Sequence, residues 1–361
     1  VLVLGSFLPF LATVFGALCE LSLGLIEWGV AVFQLVPMGH FWTAGPAGWA
    51  VVWFYAGVFF LVVYPETKIK GKWLPFCFFA WIVFAWVIPA QWGGRTSSER
   101  GGEFVCTFLD VGHGSSVLLQ FPDGKNVLYD GGSLGSPHYG ARSIAGVLWF
   151  EGIQHVDAIV ISHADVDHFN ALPQLVSQFS VEQVFVSFSM LKSQSSKVRE
   201  LFAALEKRGV DVVPVSIGDQ PFSSSGVQFE ILNPPLGGIR GNDNANSIVW
   251  MIEYEGKRIL LPGDLEQEGL SRLLAQDPID VEILMAAHHG SSNSLPAQFV
   301  EWASPQYVVI SCGRNRVTEG MKRDFSGSRQ AVLRTDRDGA IQFRMGEDGE
   351  TSVRRWKTDP W

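Results

Sequence analysis

Paired cysteines are missing from this chain. Its four cysteines, Cys19, Cys77, Cys106 and Cys312, stand apart with no CxxC spacing. That excludes both a disulfide framework and a thiolate zinc site. Charge is scarce early on: before residue 95 the charged side chains are Glu20, Glu27, Glu66, Lys68, Lys70 and Lys72, and they cancel. The whole formal charge of -9 therefore falls on the remainder. An acidic body of this kind does not bind nucleic acid by bulk electrostatics, so a polyanionic substrate needs a local basic patch or bound cations. Low-complexity tracts and readable internal repeats are lacking. No basic leader precedes the apolar run in which Val1 lies, so the start reads as the interior of a longer protein rather than a signal peptide.

Long apolar runs are present instead. Residues 47–64 and 73–92 are each about one bilayer long, with Trp73 and Trp92 at the ends of the second, where interfacial aromatics belong. Residues 2–19 form a third candidate span. Residues 20–36, which place Glu20, Glu27 and Gln34 among Leu, Ile and Phe, read as an amphipathic helix. The Lys68–Lys72 loop is the basic cluster beside a span, and the positive-inside rule puts it in the cytoplasm. One more crossing then places the chain beyond Gly93 outside the cytoplasm. The division expected is a membrane part over 1–92, a polar linker over 93–102 and a hydrolase domain over 103–361.

Beyond the linker, strands are predicted over 103–109, 116–121, 126–129, 157–161, 183–187, 211–215, 226–231, 247–254, 257–261, 281–285, 306–310 and 340–345. Helices are predicted near 143–150, 170–178, 194–208, 266–275 and 294–303. Two strand-rich halves with intervening helices suit a layered α/β sandwich. The chemistry sits where apolar strands end. Ile159-Val160-Ile161-Ser162 runs into His163, Asp165, Asp167 and His168, four imidazole or carboxylate groups of the kind that hold zinc or manganese. Asp130 follows one strand, Asp264 another, and His288-His289 a third. A carboxylate at such a strand end can bridge two cations in a hydrolase. A late run of bases, Arg314, Arg316, Lys322, Arg323, Arg329, Arg334 and Arg337, offers a patch for a phosphate backbone.

Asp130-Gly131-Gly132, His163-x-Asp165-x-Asp167-His168, Gly263-Asp264 and His288-His289-Gly290-Ser291, in this order, resemble the metallo-β-lactamase superfamily. With Phe108 to Gly114, Asn246-Ser247 and Arg334 to Ala340, the chain closely resembles the C-terminal domain of the ComEC-type DNA-internalisation channel. The apolar region resembles the end of that family's membrane competence domain. The resemblance implies a metallo-β-lactamase-type αββα sandwich preceded by transmembrane helices in a bacterial plasma membrane. It implies two divalent ions, Zn or Mn, and a nuclease that degrades the strand of DNA left outside during natural transformation. DNA, the membrane, other DNA-uptake proteins and the rest of the channel would be its partners.

By the same resemblance, His163 and Asp165 would hold one metal, Asp167 and His168 the other, and Asp264 would bridge. One of His288 and His289 completes the second site; His288 is assigned as ligand and His289, with Asp167 and Asp130, to catalysis. Asp110, Asn246, Ser247 and Arg314 are assigned to substrate. The chain departs from the family pattern in having His113 and Ser115 where Gln and Asp are usual, and in lacking the family's G-H-P segment after Cys312. His113 has two readings, a replacement for the lost family group and an exposed loop histidine, of which the second is preferred. The missing histidine favours a second reading, a DNA-gripping gate without catalysis. A third is a hydrolase of another envelope phosphodiester.

Overall fold

In this computed structural model the described residues are 9–35, 48–63, 76–77, 79–81, 102–314 and 330–359. The chain divides after Ala44, and helix α1 (Pro9–Leu35) belongs to the first unit. α1 is unbroken and so merges the expected span over 2–19 with the expected amphipathic helix over 20–36. Nothing between Pro9 and Leu35 interrupts it: no further proline occurs, and Glu20 and Glu27 are good helix formers. Its segment Thr13–Val32 is the one helix among the described residues long and apolar enough to cross a membrane. Helix α2 (Gly48–Val63) carries the 47–64 run, but its rise of about 24 Å falls short of a hydrocarbon core of about 30 Å. The expected span over 73–92 is described only at 76–77 and 79–81; the Lys68–Lys72 loop and residues 93–101 lie outside the described residues. Among the described residues one such helix is present, and of the rest of the expected multi-pass set the 73–92 span falls largely outside them.

From Gly102 on, two sheets pack face to face. Strands β1 (Phe104–Phe108), β2 (Val117–Gln120), β3 (Asn126–Tyr129), β4 (His155–Val160), β5 (Ser180–Ser187) and β6 (Asp211–Val215) form one sheet with β13 (Ile341–Met345) and β14 (Thr351–Arg355). Its order is β14-β13-β1-β2-β3-β4-β5-β6. The other sheet, β12-β11-β10-β9-β8-β7, comprises β7 (Val227–Asn233), β8 (Val249–Tyr254), β9 (Lys257–Leu261), β10 (Ile283–Met285), β11 (Tyr307–Ile310) and β12 (Ala331–Arg334). The facing surfaces enclose Phe104, Phe108, Tyr129, Phe185, Trp250 and Phe343. Helices α3 (Pro137–Phe150), α5 (Leu172–Gln178) and α7 (Ser196–Arg208) cover the outer face of the first sheet. Helices α8 (Gln267–Leu274) and α9 (Ala297–Ala303) cover that of the second. Between these lie two single-turn helices, α4 (Val166–Phe169) and α6 (Phe188–Leu191), and a last one, α10 (Thr335–Asp338), follows β12. This is the layered sandwich that the alternation of strands and helices implies.

Two strands, β12 and β14, are not expected from the sequence. Both are edge strands and only half-buried, so neither carries the apolar run that announces a central strand.

One hydroxyl crosses the core. Tyr129 is fully buried on the first sheet, and its Oη lies 2.7 Å from the Ile248 carbonyl and 3.0 Å from that of Leu261, both on the second. Tyr129→Phe removes the donor and leaves buried carbonyls short of a partner. We expect a stability loss of about 1–3 kcal/mol, seen as a lower melting temperature at unchanged secondary structure. An unchanged melting temperature would refute the cross-sheet role.

Candidate metal centre

Strands β1, β3, β4, β9, β10 and β11 all deliver their following loops to one end of the sandwich. β3 and β4 are parallel, as are β9 with β10 and β10 with β11. A parallel set exposes its carboxyl ends together, which is where sites form in α/β sheets. Asp130 follows β3, Ser162 to His168 follow β4, Asp264 follows β9, His288 and His289 follow β10, and Ser311 follows β11.

Backbone contacts lock these loops. Ser115 N donates to Asp167 O at 3.1 Å, and Gly131 N to His168 O at 2.6 Å. Across the sheets, Ile248 N donates to Ser162 O at 2.8 Å, and within the second sheet's loops His288 N donates to Gly263 O at 3.2 Å. Gly132 fits because it has no side chain: a Cβ there would lie 2.4 Å from the Asp167 carbonyl carbon and 2.6 Å from His168 N. The glycines after Asp130 therefore let one ligand loop lie flat on another.

Two groups of side chains result. His163, His168 and Asp264, all buried, offer ligand atoms within 4.8 Å of one another, and so do His113, Asp167 and His289. Asp264 stands between them: Oδ1 is 3.2 Å from His168 Nε2, and Oδ2 is 3.8 Å from His289 Nε2. Three of the imidazoles, those of His168, His163 and His289, are held from behind through Nδ1. That of His168 lies 2.8 Å from Asp130 Oδ2, that of His163 lies 2.9 Å from Ser162 Oγ, and that of His289 lies 2.9 Å from the Ser311 carbonyl. Since carboxylates and carbonyls only accept, His168 and His289 carry the proton on Nδ1 and aim Nε2 at the cluster. The buried Nε2 atoms of His163, His168 and His289, and Asp264 Oδ1, have no hydrogen-bond partner. Polar atoms left without partners and converging on one volume are what a divalent cation satisfies, and the imidazole and carboxylate set suits zinc or manganese.

The backbone is strained at the same place. His288 and His289 adopt φ of 50° and 53°, the left-handed region that costs a non-glycine residue about 1–3 kcal/mol. The turn sends the two rings to different sides. His289 enters the cluster, with Nε2 at 3.3 Å from Asp167 Oδ2. His288 stays on the rim, with Nδ1 at 3.3 Å from Glu266 Oε2 and Nε2 at 3.7 Å from Asp264 Oδ2.

Other expected residues fall differently. His168 groups with His163 rather than with Asp167. Asp165 is half-exposed, its Oδ2 at 3.5 Å from His163 Nε2, at the edge of the first group. Asp130 is fully buried behind His168 and Ser162, so it orients ligands and cannot touch a substrate. Asp110 pairs with Lys357 at 2.6 Å. Asn246 is buried against Ile239 and Asn242, and Ser247 is fully buried. Arg314 is exposed at the end of a described segment, and Arg316, Lys322, Arg323 and Arg329 lie outside the described residues. Arg334 is committed to Asp336 through two hydrogen bonds, at 3.0 and 2.9 Å.

His113, for which an exposed loop position was the preferred expectation, is half-buried and packs against His289 with ring centroids 4.5 Å apart and planes tilted by 41°. The sequence places it far from both other members of its group, so only the pairing of β1 with β2 and β13 brings it there. The contribution of Ser311 comes through its backbone carbonyl and leaves no side-chain signal in the sequence.

The metallo-beta-lactamase superfamily model matches residues 109–313. The chain belongs to the metallo-beta-lactamase superfamily. Members of this superfamily are in general metal-dependent hydrolases. Among curated relatives, ComE operon protein 3 of Bacillus subtilis (strain 168) is 28% identical over 65% of this chain and 32% of its own length. Competence protein ComA of Neisseria gonorrhoeae is 27% identical over 72% of this chain and 35% of its own. Recombination protein 2 of Haemophilus influenzae is 25% identical over 70% and 30%. The chain thus spans about a third of the length of the curated relatives it matches, and these relatives agree with the ComEC-type motif pattern.

Charge in the cluster is balanced internally. Burial disfavours the charged form of His168, but Asp264 and Asp130 outweigh it and hold the imidazole well above its usual range. His289 is likewise raised against its burial by Asp264 and Asp167. Burial works against ionising Asp264 and Asp167, yet the surrounding histidines hold both below the usual carboxylate range. The two depressed carboxylates lend stability that is present above about pH 4 and disappears as pH falls through their lowered values. The two raised imidazoles lend stability that is present below about pH 6.5 and disappears as pH rises.

Chelated protein should therefore be most stable between about pH 4 and 6.5. A cation must displace those imidazole protons, so added Zn²⁺ or Mn²⁺ should raise the melting temperature more at about pH 8 than at about pH 5. Melting series with and without chelator check this, and the opposite ordering would refute it. Gly132→Ala should push the Asp167 and His168 loop aside, lowering stability by about 1–3 kcal/mol and weakening metal binding. Unchanged metal affinity in a folded Gly132→Ala protein would show that the close approach is dispensable.

Proposed function

We propose that this chain is a two-metal phosphodiesterase acting on DNA: the nuclease domain of a membrane DNA-uptake channel, degrading the strand that is not transported. The observation that carries the reading is the pair of ligand groups sharing Asp264, with their unpartnered Nε2 atoms turned inward. His163, His168 and Asp264 would hold one ion, with Asp165 within reach at the edge. His113, Asp167 and His289 would hold the other, with Asp264 presenting one oxygen to each side. Divalent ions in such a site supply charge for the non-bridging oxygens of a phosphodiester and acidify bound water.

The protein's own groups prepare that chemistry. Asp130 accepts from Ser162 N at 2.7 Å and from Ser162 Oγ at 2.9 Å, and also holds His168 Nδ1. One buried carboxylate thereby fixes His168 directly and His163 through Ser162. His289 is fixed through a backbone carbonyl, so its orientation does not depend on a second side chain. His113 supplies the imidazole whose absence after Cys312 favoured a gate without catalysis, and its contact with His289 supports the hydrolase over the gate. The names of the curated relatives, a ComE operon protein, a competence protein and a recombination protein, support DNA as the substrate. An acidic body needs bound cations to accept a polyanion, which agrees with metal dependence. The apolar helix α1 suits attachment to the plasma membrane, with the domain on its outer side.

The test uses the full chain in detergent with Mn²⁺ or Zn²⁺ and end-labelled single- and double-stranded DNA. Cleavage should vanish on chelation and fall by at least about 100-fold in Asp167→Ala. Binding without cleavage would instead establish the gate. Turnover confined to small phosphodiesters would move the substrate to the cell envelope.

A further inference from the structure

Glu266 belongs to neither ligand group, yet it gathers more polar partners than any ligand needs. Its Oε2 lies 3.3 Å from His288 Nδ1 and 3.4 Å from Ser294 Oγ. Its Oε1 accepts from Asn242 Nδ2 at 2.6 Å and from Asn244 Nδ2 at 3.2 Å. The Asn242 turn is itself fixed by Asn246, whose amide donates to the Ile239 and Asn242 carbonyls and accepts from Ile239 N. A single carboxylate therefore ties a loop on the second sheet to the His288 ring.

An ionised carboxylate only accepts, so His288 must bring its proton to Nδ1 and leave Nε2 as a bare lone pair. That lone pair faces Asp264 Oδ2 across 3.7 Å. Two acceptors do not bond to each other, and the pair is satisfied by a cation that both can reach. The same arrangement, carboxylate behind and Nε2 in front, holds His168 against Asp130. The left-handed backbone at His288 does not by itself set the ring; Glu266 and Ser294 flank Nδ1 at 3.3 Å each.

We propose that Glu266 is a positioning residue. It fixes His288 in the Nδ1–H tautomer with Nε2 turned to Asp264, making His288 a rim ligand for the cation held there, and couples that geometry to the Asn242–Asn246 turn. The ligand part rests on the proposed metal site; the tautomer part does not.

Two measurements on the full chain in detergent or lipid decide it. Solid-state ¹⁵N spectra of metal-free, histidine-labelled protein, with His288 identified by its loss in His288→Gln, should show a protonated Nδ1 and a bare Nε2. In Glu266→Ala that signal should shift towards the other tautomer, and in Glu266→Gln, which keeps one acceptor oxygen, it should shift less. Competition titration with Co²⁺ should show affinity about 10–100-fold weaker in Glu266→Ala, less so in Glu266→Gln, with near-ultraviolet circular dichroism confirming that both are folded. A bare Nδ1 in the unmodified protein would overturn the proposal, as would unchanged Co²⁺ affinity in both folded variants. If the unmodified protein binds no Co²⁺, the hydrolase reading and the ligand role fall together, while the ¹⁵N signal still decides whether Glu266 holds the tautomer.

Discussion

A carboxylate taken out of water must be matched by positive charge or by hydrogen-bond donors, and Asp264 is such a carboxylate. Its neighbours are imidazoles from both sides of the sandwich. In the metal-free chain Asp264 raises the proton affinity of His168 and His289, which face it. Divalent ions would make the same match with the protons displaced. Loops ending six different strands are held in place to meet that one requirement.

The architecture makes this possible through strand direction. Parallel runs in both sheets end at one edge, so short loops suffice to bring distant segments together. Glycine contributes through absence, since Gly132 allows a contact that any Cβ would block. Behind the ligands a further layer, Asp130, Ser162 and the Ser311 carbonyl, holds Nδ1 of His168, His163 and His289 and so turns Nε2 of each towards the cluster. The chemistry lies in lone-pair direction as much as in ligand identity.

Much of this is legible in the residue pattern alone. The central strands carry uninterrupted apolar runs, and β3 and β9 fall where the pattern puts them. The cluster after β4 declares itself because four ligand-type residues crowd six positions. What escapes is long-range or carried by the backbone. His113 reaches the cluster through strand pairing that periodicity does not encode. The grouping of His168 with His163 depends on how a four-residue helix turns, and Glu266 looks like any acidic residue opening a helix. The edge strands β12 and β14 escape for want of apolar character. The merger of two expected segments into α1 shows that a change in polarity along a helix is no signal of its end.

The cluster draws residues from both sheets, with His163, His168, Asp167 and His113 on one side and Asp264 and His289 on the other. An ion bound there would act as a clasp across the seam of the sandwich. Its binding energy would count towards keeping the halves together by mass action. The supply of free divalent ion around such a protein would then govern how long the fold endures as well as how fast it works.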